Sequence, residues 1–201
     1  MAVTADEVKK LREMTGAPLM DCKRALVEAD GDMDKAQTLL REKGQAMLEK
    51  RQGRSANEGA VMTYIHTGGK IGVMIELNCE TDFVAKTAEF KALGHDLAMQ
   101  IAWSDPLHIS RDEVTPESIE KERQVHINWA KNQGKPEAAL EGIVKGKMEK
   151  YFETVSLMDQ PFFRDANLKV KDVFSEVAGK IGEKLVLKRF ARFRVGEDAA
   201  E

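Results

Sequence analysis

The chain has 201 residues, enough for one compact domain with an appendage or for two small ones, and its 42% hydrophobic and 32% charged residues argue against a disordered or membrane-embedded protein. A net charge of −3 and a pI of about 5.9 set the whole-chain field against a polyanion, which disfavours nucleic acid as the main partner. The first ten residues hold no apolar leader and no run approaches the roughly 18 apolar residues of a membrane span, so a cytoplasmic protein without a membrane partner is expected.

The first segment reads as three short helices. Thr4 and Glu7 have the spacing of a capping box, and Val8, Leu11 and Met14 supply an apolar stripe behind them. Thr15-Gly16-Ala17-Pro18 breaks that helix and restarts a second, lined on one side by Leu19, Cys22, Leu26 and Ala29. Asp30-Gly31-Asp32 forms the next turn, with Asp32 as N-cap of a third helix that carries Ala36, Leu39 and Leu40 to a stop at Gly44. From Gly44 to Glu58 the chain turns polar and basic, which marks a linker or a frayed helical extension. Residues 1–52 are therefore expected to form a helical bundle with its linker helix, and 53–196 a second, α+β domain.

In that second part the period changes to two. Val61, Thr63 and Ile65 form one strand, and Ile71, Val73, Ile75 and Leu77 the next, with Gly68-Gly69 supplying positive φ for the hairpin turn between them. Phe90, Leu93, Leu97 and Ile101 return to helical spacing. Thr115-Pro116-Glu117 starts another helix, and Gly134-Lys135-Pro136 separates it from one carrying Leu140, Val144, Met148, Tyr151 and Val155. The two read as a projecting helical hairpin over 116–155. Val170, Val173, Phe174, Val177 and Ile181 make a last helix ended by Gly182, and 185–195 returns as a third antiparallel strand before an acidic tail over 197–201.

Enzyme chemistry is not indicated. His66, His95, His108 and His126 lack metal-ligand spacing and a paired nucleophile, and Gly68-Gly69 belongs to no phosphate-loop pattern. Cys22 and Cys79, the two cysteines, have neither disulfide-framework nor zinc spacing and are expected to be buried. No catalytic residue, metal or cofactor is expected. The basic clusters Lys50, Arg51, Arg54 and Lys188, Arg189, Arg192, Arg194 read as a solvated linker and a charged strand face.

The stretch Glu80-Thr81-Asp82-Phe83-Val84-Ala85-Lys86 has an ordinary structural explanation. Thr81 or Asp82 can cap the following helix, and Phe83, seven residues before Phe90, can share its core face. Yet Asn78 to Ala85 resembles the signature of the elongation factor Ts family over its full length. Leu11 to Leu26 is similar to that family's N-terminal signature, and Val155 to Phe162 and Arg192 to Glu197 also resemble it, so the likeness spans nearly the whole chain.

The resemblance implies a ubiquitin-associated-like three-helix bundle in which Leu19 and Met20 dock on a partner GTPase, elongation factor Tu. It implies that Thr81, Asp82, Phe83 and Val84 intrude near the partner's Mg²⁺ and phosphate region, and that the activity is guanine nucleotide exchange without covalent catalysis. Longer members have two related core subdomains where the hairpin-plus-helix pattern occurs here once, which by analogy implies a homodimer engaging two partner molecules. A helical adaptor that binds a partner without exchange activity is the alternative; unchanged nucleotide release on binding distinguishes it.

Overall fold

The protein is described by a computed structural model covering residues 3–51 and 53–197, with residues 45–50 described by backbone alone. The acidic tail beyond Glu197, Gln52 and the side chain of Lys50 lie outside the described residues. The fold is α+β, with eight α-helices and a three-stranded sheet among the described residues.

Compactness divides the chain into two units. The first comprises 1–61, 76–94 and 172–188, and the second 62–75, 95–171 and 189–201.

The first unit begins with α1 (Ala5–Thr15), α2 (Leu19–Glu28) and α3 (Met33–Arg51). The capping box at Thr4 forms in both directions: the Thr4 hydroxyl accepts from the Glu7 N–H at 3.3 Å, and the Glu7 carboxylate accepts from the Thr4 N–H at 2.8 Å. Val8, Leu11, Cys22, Ala25, Leu26, Ala29 and Ala36 form the buried core of the three helices. Leu19 and Met14, expected to join that stripe, are half exposed.

Gly44 does not stop α3, which continues to Arg51. A mid-helix glycine costs about 1 kcal/mol relative to alanine, and the following Gln-Ala-Met-Leu-Glu-Lys run consists of good helix formers that outweigh it.

Strands β1 (Glu58–Ile65) and β2 (Ile71–Cys79) form a hairpin, and β5 (Val186–Arg194) lies on the other side of β2. The loop is closed by the His66 N–H donating to Ile71 O at 2.9 Å, and Gly68 has φ 93° at the third turn position, as a type II turn requires. The Val195 N–H donates to Lys70 O at 2.9 Å, so the end of β5 meets the start of β2 and the pairing is antiparallel.

Along β2, Val73, Ile75, Leu77 and Cys79 are buried as the alternation predicts. In β1 the parity is the reverse of the one suggested by Val61, Thr63 and Ile65: these face solvent, and Ala60, Met62 and Tyr64 are the half-buried set. β1 is an edge strand with apolar residues on both faces, so pattern alone did not fix its orientation. On β5, Lys188, Arg189 and Arg194 are exposed, as a charged strand face requires, and Arg192 departs from it. Arg192 is turned inward with a side chain 9% exposed and pairs with Asp105 at 3.1 Å and Glu197 at 3.4 Å.

Gly59 has φ 148°, and a Cβ there would lie 2.3 Å from Leu77 O and 2.7 Å from the Asn78 Cα. Backbone cannot yield as a flexible side chain does. Gly59→Ala is expected to destabilise the chain by about 2 kcal/mol or more, read as a lower thermal midpoint, whereas Gly53→Ala, with open space around it, leaves the midpoint in place.

The helices α4 (Asp82–Ala85) and α5 (Ala88–Ser104) follow β2. In the second unit, α6 (Pro116–Asn132) and α7 (Glu137–Val155) pack as an antiparallel pair. Thr115 caps α6 by accepting from the Ser118 N–H, and Pro116 stands at its first turn. A short two-stranded sheet, β3 (Pro161–Phe162) and β4 (Asp165–Lys169), precedes α8 (Val170–Ile181) and has no counterpart in the sequence reading.

Candidate partner interface

The end of β2 delivers Cys79, Glu80 and Thr81 to α4, a single turn. Thr81 is the N-cap residue with extended backbone, φ −128° and ψ 151°, but its hydroxyl makes no cap bond. That hydroxyl instead donates to Glu183 Oε1 at 2.7 Å. Glu183 Oε2 also accepts from the backbone N–H groups of Glu80 at 3.1 Å and Thr81 at 3.0 Å.

Glu80 is held in turn by the Lys184 N–H at 2.7 Å and by Arg54 at 3.1 Å. The Lys184 N–H first, and Arg54 after it, hold the Glu80 carboxyl below the usual carboxylate range. Behind the junction the buried Cys79 thiol donates to Thr81 O at 3.1 Å. Burial, with the nearby Glu183 charge, pushes that thiol up from its ordinary pKa.

Thr87 separates α4 from α5. Its hydroxyl donates to Val84 O at 2.8 Å and accepts from the Phe90 N–H at 3.3 Å, ending one helix and capping the next. This break answers the core expectation for Phe83. Seven-residue spacing from Phe90 has meaning only on one continuous helix, and Phe83 is 78% exposed while Phe90 is buried. Asp82 accepts from Lys86 at 2.6 Å across the turn, and the Lys86 ammonium lies 5.7 Å from the Phe83 ring centroid. Val84 is half-buried.

Thr81, Asp82, Phe83 and Val84 therefore stand together on one braced turn. Leu19 and Met20 are adjacent at the start of α2, 48% and 60% exposed. Exposed apolar side chains at both places, Phe83 most of all, contribute little to the core and are available to a partner surface. Sequence reasoning missed Glu183, Lys184 and Arg54, whose only local hint was the acidic Glu80 inside the signature. Among the described residues no group of His, Cys, Asp and Glu side chains is arranged to hold a metal ion.

The profile of the family described as elongation factor TS matches residues 33–197. The chain belongs to the elongation factor Ts family. It is 52% identical over 199 residues to the elongation factor Ts of Carboxydothermus hydrogenoformans, covering 99% of this chain and 92% of that one. It is 50% identical over 197 residues to that of Thermotoga petrophila, covering 98% of each, and 50% identical over 197 residues to that of Koribacter versatilis, covering 98% of this chain and 90% of the relative. The family is one of translation elongation factors, and these relatives share the short form of the chain. No described helix is long and apolar enough to cross a membrane.

Proposed function

We propose that this chain is a guanine nucleotide exchange factor that binds elongation factor Tu in its GDP state, disturbs the Mg²⁺ and phosphate site, and releases GDP so that GTP can bind. The observation that carries this reading is Phe83, an aromatic ring 78% exposed on a turn held in place by hydrogen bonds to Glu183. A GTPase keeps GDP through phosphate contacts and a bridging Mg²⁺ that must be released together. An exchange factor accelerates this only by binding the empty state better than the GDP state, and nucleotide reciprocally weakens its grip. Each tenfold gain requires about 1.4 kcal/mol, so a thousandfold gain needs about 4 kcal/mol, within reach of a few buried contacts.

In this reading Phe83 is an apolar wedge, Asp82 perturbs the polar network around Mg²⁺, and Leu19 and Met20 supply docking affinity. The chain acts in the cytoplasm, with protein as its partner. A homodimer engaging two partner molecules fits the outer sheet face of the second unit, where Ile65, Met74, Phe193 and Val195 are all exposed.

The test is release of labelled GDP from purified elongation factor Tu with substoichiometric factor. Multiple-turnover acceleration is expected. Binding by the folded chain without acceleration would leave a helical adaptor in its place.

A further inference from the structure

The turn that carries Thr81 and Phe83 is anchored from 102 residues away in sequence. A one-turn helix does not hold itself in water, so the backbone that enters it needs an anchor from elsewhere. Here the Glu183 carboxylate takes two backbone donors, from Glu80 and Thr81, and the Thr81 hydroxyl as well. In the opposite direction the Lys184 N–H donates to Glu80 Oε1 at 2.7 Å, and Lys184 Nζ donates to Arg54 O at 2.8 Å. Two carboxylates thus cross between the segments, Glu183 accepting from the Glu80 and Thr81 N–H groups and Glu80 from the Lys184 N–H. Phe83 stands on backbone that is fixed from outside its own helix.

We propose that Glu183 is a positioning residue for nucleotide exchange: it sets the Thr81–Phe83 turn in its engaging geometry before the partner arrives. A turn already ordered loses less entropy on engagement, so more of the contact energy is available to the step that expels nucleotide. The inference rests on the exchange reading above. It assigns the effect to the acceptor geometry of Glu183 and not to its charge. In Glu183→Gln the carboxamide oxygen can accept both N–H groups while its NH₂ donates to a Thr81 hydroxyl rotated to accept. Glu183→Asp keeps the charge and withdraws it by one methylene, and Glu183→Ala removes every contact.

The experiment measures stimulated GDP release against factor concentration, together with hydrogen exchange of the Glu80 and Thr81 amides in the free chain. Glu183→Ala and Glu183→Asp are expected to lower the maximal rate about tenfold, with a smaller change in half-saturating concentration, and to speed exchange of both amides. Glu183→Gln is expected to stay within about threefold of the parent on every readout. Should Glu183→Ala fail to fold, the Asp and Gln variants carry the comparison.

A parental maximal rate in Glu183→Asp, or a Glu183→Gln as slow as Glu183→Asp, overturns the positioning role. A parent chain that leaves GDP release unaccelerated overturns the exchange reading and this inference together. A normal parent with unaffected variants overturns the inference alone.

Discussion

Phe83→Ala is expected to slow stimulated GDP release by about thirtyfold, the kinetic equivalent of the roughly 2 kcal/mol that an aromatic side chain contributes at the centre of an interface. The ring is mostly exposed and lies outside the core, so the thermal midpoint should hold to within the small shifts typical of surface changes. The loss should fall on the maximal rate more than on affinity for the nucleotide-free partner, because a wedge acts where nucleotide and factor compete. Paired Leu19→Ala and Met20→Ala substitutions should do the reverse, raising the factor concentration needed while leaving the maximal rate. Single-turnover release titrated with each variant separates the two. A folded Phe83→Ala chain with parental release kinetics would remove Phe83 from the mechanism.

Asp159→Ala carries the largest expected loss of stability, about 3 kcal/mol, or a midpoint lower by roughly 6–12 °C. Asp159 has a side chain only 5% exposed, receives Arg111 at 2.7 Å and the Ser156 hydroxyl at 3.0 Å, and lies 3.6 Å from Lys171. Arg111 also bonds Glu149 at 3.1 Å and stacks 4.6 Å from the Phe152 ring centroid, so the cluster ties α7 to the segment before α6. Removing Asp159 leaves Arg111 with Glu149 and partial solvent contact, which holds the loss near the lower end for a broken buried pair.

The same cluster sets a pH dependence. Burial pushes the Asp159 carboxyl up, but the bonds from Arg111 and Ser156 and the charges of Arg111 and Lys171 outweigh it, and its pKa ends below the ordinary value. A carboxyl depressed in the folded state contributes fully above its unfolded pKa, near 4, and that contribution is lost as pH falls through the folded value. Glu149, lowered chiefly by its Arg111 bond, acts in the same direction. Between neutrality and about pH 5 the midpoint should change little on this account, then fall with further acidification, and Asp159→Ala should flatten that acid limb.

What the sequence made legible was local. The Thr4–Glu7 box, the Gly68 turn and the Pro116 helix start each depend on residues within one turn, and all three form as their chemistry requires. Gly44 misled because a helix boundary is a contest between one poor residue and the run of good helix formers after it. The orientation of β1 was undecided by pattern, since an edge strand with apolar residues on both faces has no unique alternation. β3 and β4 were missed because they are short and their Phe163–Arg164 turn is held from far along the chain, Gln100 Oε1 accepting from the Phe163 N–H at 2.9 Å and Asp96 from Arg164 at 2.6 Å.

In the candidate interface, Thr81 to Val84 were nominated by family likeness, which carries no account of exposure. That Phe83 is exposed follows from the Thr87 break, and that the turn is braced follows from Glu183, a contact no local rule reaches.

The Asp82–Lys86 bridge across the Phe83 turn bears on how the free chain behaves in concentrated solution. A bare phenyl ring on a rigid protrusion is an adhesive spot, prone to bury itself against any other ring. Here a hydrated ammonium lies 5.7 Å from the ring centroid, tied to a carboxylate one helical turn away, so two rings cannot meet without stripping water from both ion pairs. The charges act as gatekeepers, and the ring stays available to a surface that can replace that water with contacts of its own.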